Sequence, residues 1–189
     1  MPTGELRRWT REEYEKMIDT GILRPDDHVE LVEGEIFSMT PQKSLHATAI
    51  RLLEDVLREV FGAAHDVRTQ LPVALTPLSE PEPDVAVVSG APRDYRDAHP
   101  QSALLIVEVA DATLENDRKR KGSLYARVGV ADYWILNVLE QTLEVYREPG
   151  PAENAAYGFD YRSVVFPERD SVSPLAAPLS TVAVADLIP

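Results

Sequence analysis

Leu104-Leu105-Ile106-Val107-Glu108-Val109 places an acid in the middle of an aliphatic run. Read as a strand, its side chains alternate between two faces, so Glu108 shares a face with Leu104 and Ile106. A lone carboxylate buried there would cost several kcal/mol, and it therefore needs a partner: a metal ion, a basic side chain or a proton. The aliphatic run is far too short to span a bilayer and reads as a buried strand.

Working outward, two further strands are expected from Val67 to Leu75 and from Asp84 to Val88, with the first extended over Ala103 to Val109, all bounded by prolines. Upstream, Ala47, Ile50, Leu53, Leu57 and Val60 recur at helical spacing between Ser44 and Phe61, ahead of Gly62. Downstream, Thr113 is placed to cap a helix from about Leu114 to Val128, and Asp132 to Val138 reads as another buried strand. The expected core order is thus α-β-β-β-α-β. A capping box at Thr10 and Glu13 opens a first short helix ending at Gly21. Val29 to Val32 and Glu35 to Met39 form a hairpin about Glu33-Gly34. Thr142 to Arg147 and Tyr157 to Val165 extend the sheet, and Thr181 to Val184 is a short terminal strand. The fold class is α/β (α+β), a mixed sheet flanked by helices.

With 189 residues, 44% of them hydrophobic, the chain is expected to form one domain over 1–189, with a core of about 9–147 and a C-terminal extension of about 148–189. It has no cysteine, which excludes disulfides, thiolate nucleophiles and cysteine-ligated zinc. Any metal must be held by oxygen or imidazole. No apolar stretch suits a membrane span or a leader, so a cytoplasmic location is expected. A formal charge of −13 argues against a general nucleic-acid coat protein while leaving room for a local site.

Several side chains are candidates for chemistry. Asp84 follows Pro81-Glu82-Pro83, which holds the approach extended, so it is either a presented ligand or a strand-start residue in a turn. Asp84 and Glu108 on neighbouring strands could share one Mg²⁺, or Glu108 could sit in a salt bridge or be protonated. Lys121 falls on the inner stripe of its helix with Leu114, Tyr125 and Val128, and its ordinary alternative is an i,i+4 pair with Asp117. Arg118, Lys119 and Arg120 complete a basic run early in that helix, where the macrodipole disfavours cations; it is either an anion-facing surface, such as a DNA contact, or a solvated face. Glu30 is a further acid for the site or an exposed strand residue. His46 orients a water or phosphate or caps a helix, and Gln70 lines a pocket or faces outward. Tyr133 and Trp134 read as packing residues.

In this order, Val29-Glu30-Leu31-Val32-Glu33-Gly34-Glu35, Met39-Thr40-Pro41 with His46, Pro83-Asp84-Val85, Val107-Glu108-Val109, Asp117 to Lys121 with Tyr125, and Gly129 to Trp134 are a specific set. Through them the chain resembles the Uma-two family of restriction-endonuclease-like proteins, over roughly Trp9 to Arg147. The resemblance implies a PD-(D/E)XK nuclease-like core, Mg²⁺ dependence with Mn²⁺ as a substitute, and hydrolysis of DNA phosphodiesters. It implies Asp84 and Glu108 as metal ligands and catalytic groups, with Glu30 a further acid and Lys121 catalytic. The usual motif has a lysine two residues after the second acid; here that residue is Ala110, and the family pattern places the lysine on the following helix, at Lys121. Cutting both strands with one site per chain favours a homodimer. The alternative class is a catalytically silent nuclease-fold scaffold for protein interaction, which the acidic composition favours.

Overall fold

The computed structural model of the chain describes residues 4, 6–39 and 41–189; Thr40, part of one matching piece, lies outside them. Six strands form the main sheet in the order β3-β4-β5-β6-β7-β8: β3 (His65–Thr69), β4 (Val85–Ser89), β5 (Leu105–Ala110), β6 (Asp132–Asn137), β7 (Thr142–Pro151) and β8 (Phe159–Pro167). Only β5 and β6 run parallel, and the chain crosses between them through a helical segment over residues 114–127. The expected α-β-β-β-α-β core is what forms.

Alternation in β5 sorts its side chains into two cores. Leu105, Val107 and Val109 join Trp134 and Leu136 under α2 (Ser44–Phe61), while Ile106 and Ala110 join Tyr133 and Ile135 under the second helical layer. Helix α2 buries Ala49, Ile50, Leu53 and Leu57, the isoleucine and leucine side chains each contributing about 1.5–3 kcal/mol. The expected stripe included Ala47, which is exposed; His46, one helical turn before Ile50, takes the inner position instead. The C-terminal segment closes the α2 face with β9 (Ser171–Val172), β10 (Val182–Ala183) and a 3₁₀ turn that buries Val184 and Leu187. Strand β9 carried no signal in the sequence because two residues are too few to show a period.

Asp132 ties that segment down: fully buried, it accepts from Trp134 Nε1 (2.8 Å), Arg147 Nε (2.8 Å) and the Leu175 amide (2.8 Å). On the other face, helix α1 (Arg11–Asp19) opens with the expected Thr10–Glu13 capping box. The hairpin β1 (Val29–Val32) and β2 (Glu35–Ser38) turns through Glu33 at φ 49 and Gly34 at φ 79, the pair of positive angles that a twisted two-residue turn requires. Its register sets Glu30 opposite Phe37.

Two expected elements differ. The strand expected over Val67 to Leu75 begins earlier, at His65, and stops at Thr69, because Gln70 turns the chain with a left-handed φ of 53. The 114–127 segment is an interrupted helix: α3 (Leu114–Asn116), a π-helical turn (Asp117–Lys121) and α4 (Gly122–Arg127). Thr113 does not cap it, since its backbone is already helical and its hydroxyl donates to Asp117 Oδ2 at 2.5 Å. The Asp117 carbonyl accepts from both the Gly122 amide and the Tyr133 hydroxyl (2.9 Å), which accommodates the wider turn. A Cβ at Gly122 would meet that carbonyl at 3.3 Å and the Tyr133 ring at 3.6 Å, so glycine permits the close approach. Among the described residues no helix is long and apolar enough to cross a membrane.

Glu80 is buried beside the hairpin, with Oε2 lacking a hydrogen-bond partner among the described residues and Arg11 Nε at 3.8 Å. Burial, reinforced by Glu15 and opposed by Arg11, pushes its carboxyl up to about 7. For an acid whose value is raised by folding, ionisation opposes the fold, so the penalty is complete above about 7 and fades as pH falls from there toward the unfolded value. Glu80→Gln should stabilise the protein at pH 8 by on the order of 1–3 kcal/mol, with the gain shrinking steadily on acidification below neutrality. Urea denaturation across pH checks this; a difference independent of pH would contradict it.

Candidate active site

The antiparallel pairing of β4 and β5 matches Val85 with Val107, and one residue further along the same register sets Asp84 opposite Glu108. Cross-strand neighbours have Cβ atoms about 4.5–5.5 Å apart, and like charges so placed repel. The pair is held by the backbone as well: Asp84 Oδ2 accepts from the Val109 amide at 2.8 Å, and Glu108 Oε2 takes a long contact of 3.4 Å from the Asp84 amide. The Gln70 amide donates to the Asp84 carbonyl at 3.2 Å, so the turn that ends β3 also fixes where Asp84 starts its strand.

Lys121 enters from the interrupted helix on the facing layer. Its Nζ lies 3.1 Å from Glu108 Oε1 and 3.5 Å from Glu30 Oε1, with the side chain only 10% exposed. The alternative pairing with Asp117 is not its closest contact: Asp117 accepts from Thr113, and the ammonium goes to the strand and hairpin acids. The π-helical turn buries both Asp117 and Lys121 on the inner side. Tyr125, one turn further, donates to Glu108 Oε1 at 2.7 Å.

Glu30 is buried, not an exposed strand residue; its Oε2 accepts the Glu82 amide at 3.2 Å, its Oε1 faces Lys121, and it lines the same cleft as Asp84 and Glu108. His46 is buried in the first turn of α2, with Nε2 3.0 Å from Asp84 Oδ1, so it orients that carboxylate. The signal that finds it is its place one turn before Ile50 on the apolar stripe of α2. Gln70 lines the same cleft, as do Glu82, Asp111 and Asp117, which the sequence reading did not single out as site acids.

The basic run divides. Arg118 is held by Glu144 through two bonds of 3.0 and 2.5 Å, and Lys119 pairs with Glu115 at 2.7 Å; these acids account for the cations early in the helix. Arg120 instead lies 4.3 Å over the Phe37 ring at the mouth of the cleft.

Electrostatically the cluster is short of positive charge. Burial pushes Glu108 up and Lys121 pulls it back, while Asp84, Asp117 and Glu30 push it further up. Burial likewise raises Asp117, against Lys121 and the Thr113 hydroxyl. For Lys121, burial disfavours the charge, but Glu108, Glu30, Asp117 and Asp84 outweigh it and hold the group well above the ordinary lysine value. His46 is lowered by burial and raised by its bond to and attraction from Asp84, with a net rise.

The donor set of Asp84 and Glu108 is hard oxygen, suited to Mg²⁺ or Mn²⁺. Among the described residues no three His, Asp or Glu side chains close into a cage. The fit is therefore to an ion that takes one or two carboxylates and keeps much of its water, as Mg²⁺ does, and the unbalanced negative charge around Glu108 favours its entry.

Among curated proteins none matches the chain in sequence. In structure it is similar to a crystal structure titled as a putative nuclease belonging to DUF820, from Anabaena variabilis. The TM-score is 0.70 at 18% identity, over 94% of this chain and 96% of that one. That likeness establishes a nuclease-like mixed sheet flanked by helices. The sequence pattern of the family Uma2, described as "Putative restriction endonuclease", matches residues 11–185, and the chain belongs to that family.

Proposed function

We propose that the protein is a metal-dependent endonuclease that hydrolyses DNA phosphodiester bonds. The observation that carries this reading is the juxtaposition of Asp84 and Glu108 across one strand pair with the Lys121 ammonium 3.1 Å from Glu108. Asp84 and Glu108 would hold Mg²⁺, or Mn²⁺ in its place. When bound, the ion supplies a polarised phosphate and a water of lowered pKa. The chain's own residues do the rest. His46 fixes the rotamer of Asp84, and the Tyr125 hydroxyl fixes Glu108. Lys121 balances the charge that develops on the phosphoryl oxygens, and Glu30, its second partner, keeps it aimed while sparing Glu108. Family membership supports the nuclease class.

Relocating the lysine is consistent with the geometry. Ala110 is two residues beyond Glu108 on the same face of β5 and is buried in the layer that contains Tyr125, the side of the sheet from which Lys121 reaches Glu108. The scaffold alternative differs in one respect that calorimetry reads: it needs no Mn²⁺ binding that depends on Asp84 and Glu108.

Two outcomes are expected of purified protein incubated with supercoiled plasmid and Mn²⁺. Asp84→Ala should nick roughly 10²–10³-fold more slowly than wild type while keeping its circular dichroism; equal nicking by both would sink the assignment. Lys121→Met should lose roughly 10²-fold, and adding Ala110→Lys to it should restore at least part of that loss. Full activity in Lys121→Met would show that the helix lysine has no part in the chemistry.

A further inference from the structure

The acids are recessed. Glu108 is 3% exposed and Lys121 8%, at the bottom of a cleft of about 330 Å³. Its walls are the hairpin side, with Phe37 and Met39, and the helical side, with Thr113, Asn116 and Arg120. Ligand sites run from roughly 300 to 1,000 Å³, so this one is on the scale of a single nucleotide. We propose that the cleft selects an unpaired nucleic-acid strand over an uninterrupted duplex; this rests on the nuclease reading of the same site.

Three features carry the inference. The first is depth. In a duplex each phosphate is flanked by its neighbours on a stiff rod and backed by its own paired base, so it cannot be pushed alone between two walls. A single strand bends at every phosphate and can lower one into the cleft. The second is the mouth. Phe37 stands opposite Glu30 in the hairpin register, with the Arg120 guanidinium 4.3 Å above its ring. Phe37 packs on the core behind this guanidinium, so the flat face offered at the mouth is that of Arg120 held on the ring, a cationic platform of the kind single-strand binders set against a base. Stacking of this kind needs an unpaired base.

The third is charge. A duplex-tracking surface takes its affinity from many phosphate contacts, yet the protein carries a formal charge of −13. Its one dense basic run is mostly consumed, with Arg118 on Glu144 and Lys119 on Glu115. Lys121 at the floor is held by Glu108 and Glu30, so Arg120 at the mouth is what the run leaves for a strand's phosphate, far short of a duplex footprint.

The test separates binding from cutting. Fluorescence anisotropy in EDTA, with a labelled single-stranded oligonucleotide and the same strand annealed to its complement, should show the single strand bound roughly tenfold or more tightly. Phe37→Ala should erase most of that preference by weakening single-strand binding alone. Equal or tighter binding of the duplex, or no binding of either form, would overturn the proposal. With Mn²⁺, the single strand should be cut at least several-fold faster. A duplex cut at the same rate would refute strand selection and leave the nuclease reading intact. Selective binding with no cleavage of either form would refute the nuclease reading and leave strand selection standing.

Discussion

One buried ammonium set against a crowd of buried carboxylates is the constraint on which the rest of this structure turns. Lys121 contacts Glu108 and Glu30, and Asp84 and Asp117 are close enough to pull its charge further into place. Removing a partner from a buried pair commonly costs about 3–5 kcal/mol, so the elements that deliver these side chains are bound to one another electrostatically as well as by packing. Strand register delivers Asp84 and Glu108, the hairpin delivers Glu30, and the π-helical turn delivers Lys121 with Asp117. One cation does not neutralise this set. The residual negative charge is what a divalent ion would relieve, and it is the physical link between the fold and the chemistry proposed for it.

On the proposed reading, the placement of the lysine keeps the site while changing its supporting element. In the usual nuclease motif the lysine sits two residues past the second acid; here Ala110 fills that position and packs in the core, and the ammonium comes across the sheet from the interrupted helix. At Gly122 a side chain would crowd the Asp117 carbonyl at 3.3 Å, the same carbonyl that the Tyr133 hydroxyl bonds at the start of the widened turn. Asp117 and Lys121, four residues apart, would share a face in a straight α-helix too; what the wider turn changes is the phase of the residues that follow, Tyr125 among them.

Much of this was legible in the sequence. The aliphatic frame of Glu108 declared a buried acid, and the spacing of Leu114, Lys121 and Tyr125 declared an inward lysine. Both follow from periodicity, which survives folding because it decides which face is buried. What was not legible depended on contacts between distant segments. The π-helical turn rests on Tyr133, the end of β3 at Thr69 rests on the left-handed Gln70, and Thr113 is diverted from capping by the carboxylate of Asp117. His46 is legible as a candidate but its partner is not, because the bond to Asp84 depends on where α2 settles beside the start of β4. For the basic run, charge alone could not tell that Arg118 and Lys119 are neutralised by Glu144 and Glu115 while Arg120 stays at the cleft.

The most direct measurement is the anomalous difference map of a crystal soaked in Mn²⁺. The account expects one peak within about 2.0–2.4 Å of an oxygen of Asp84 and an oxygen of Glu108, with waters completing its shell and Lys121 left outside it. A soaked crystal with no peak between these carboxylates, and with Lys121 still the sole counter-charge of Glu108, would contradict it.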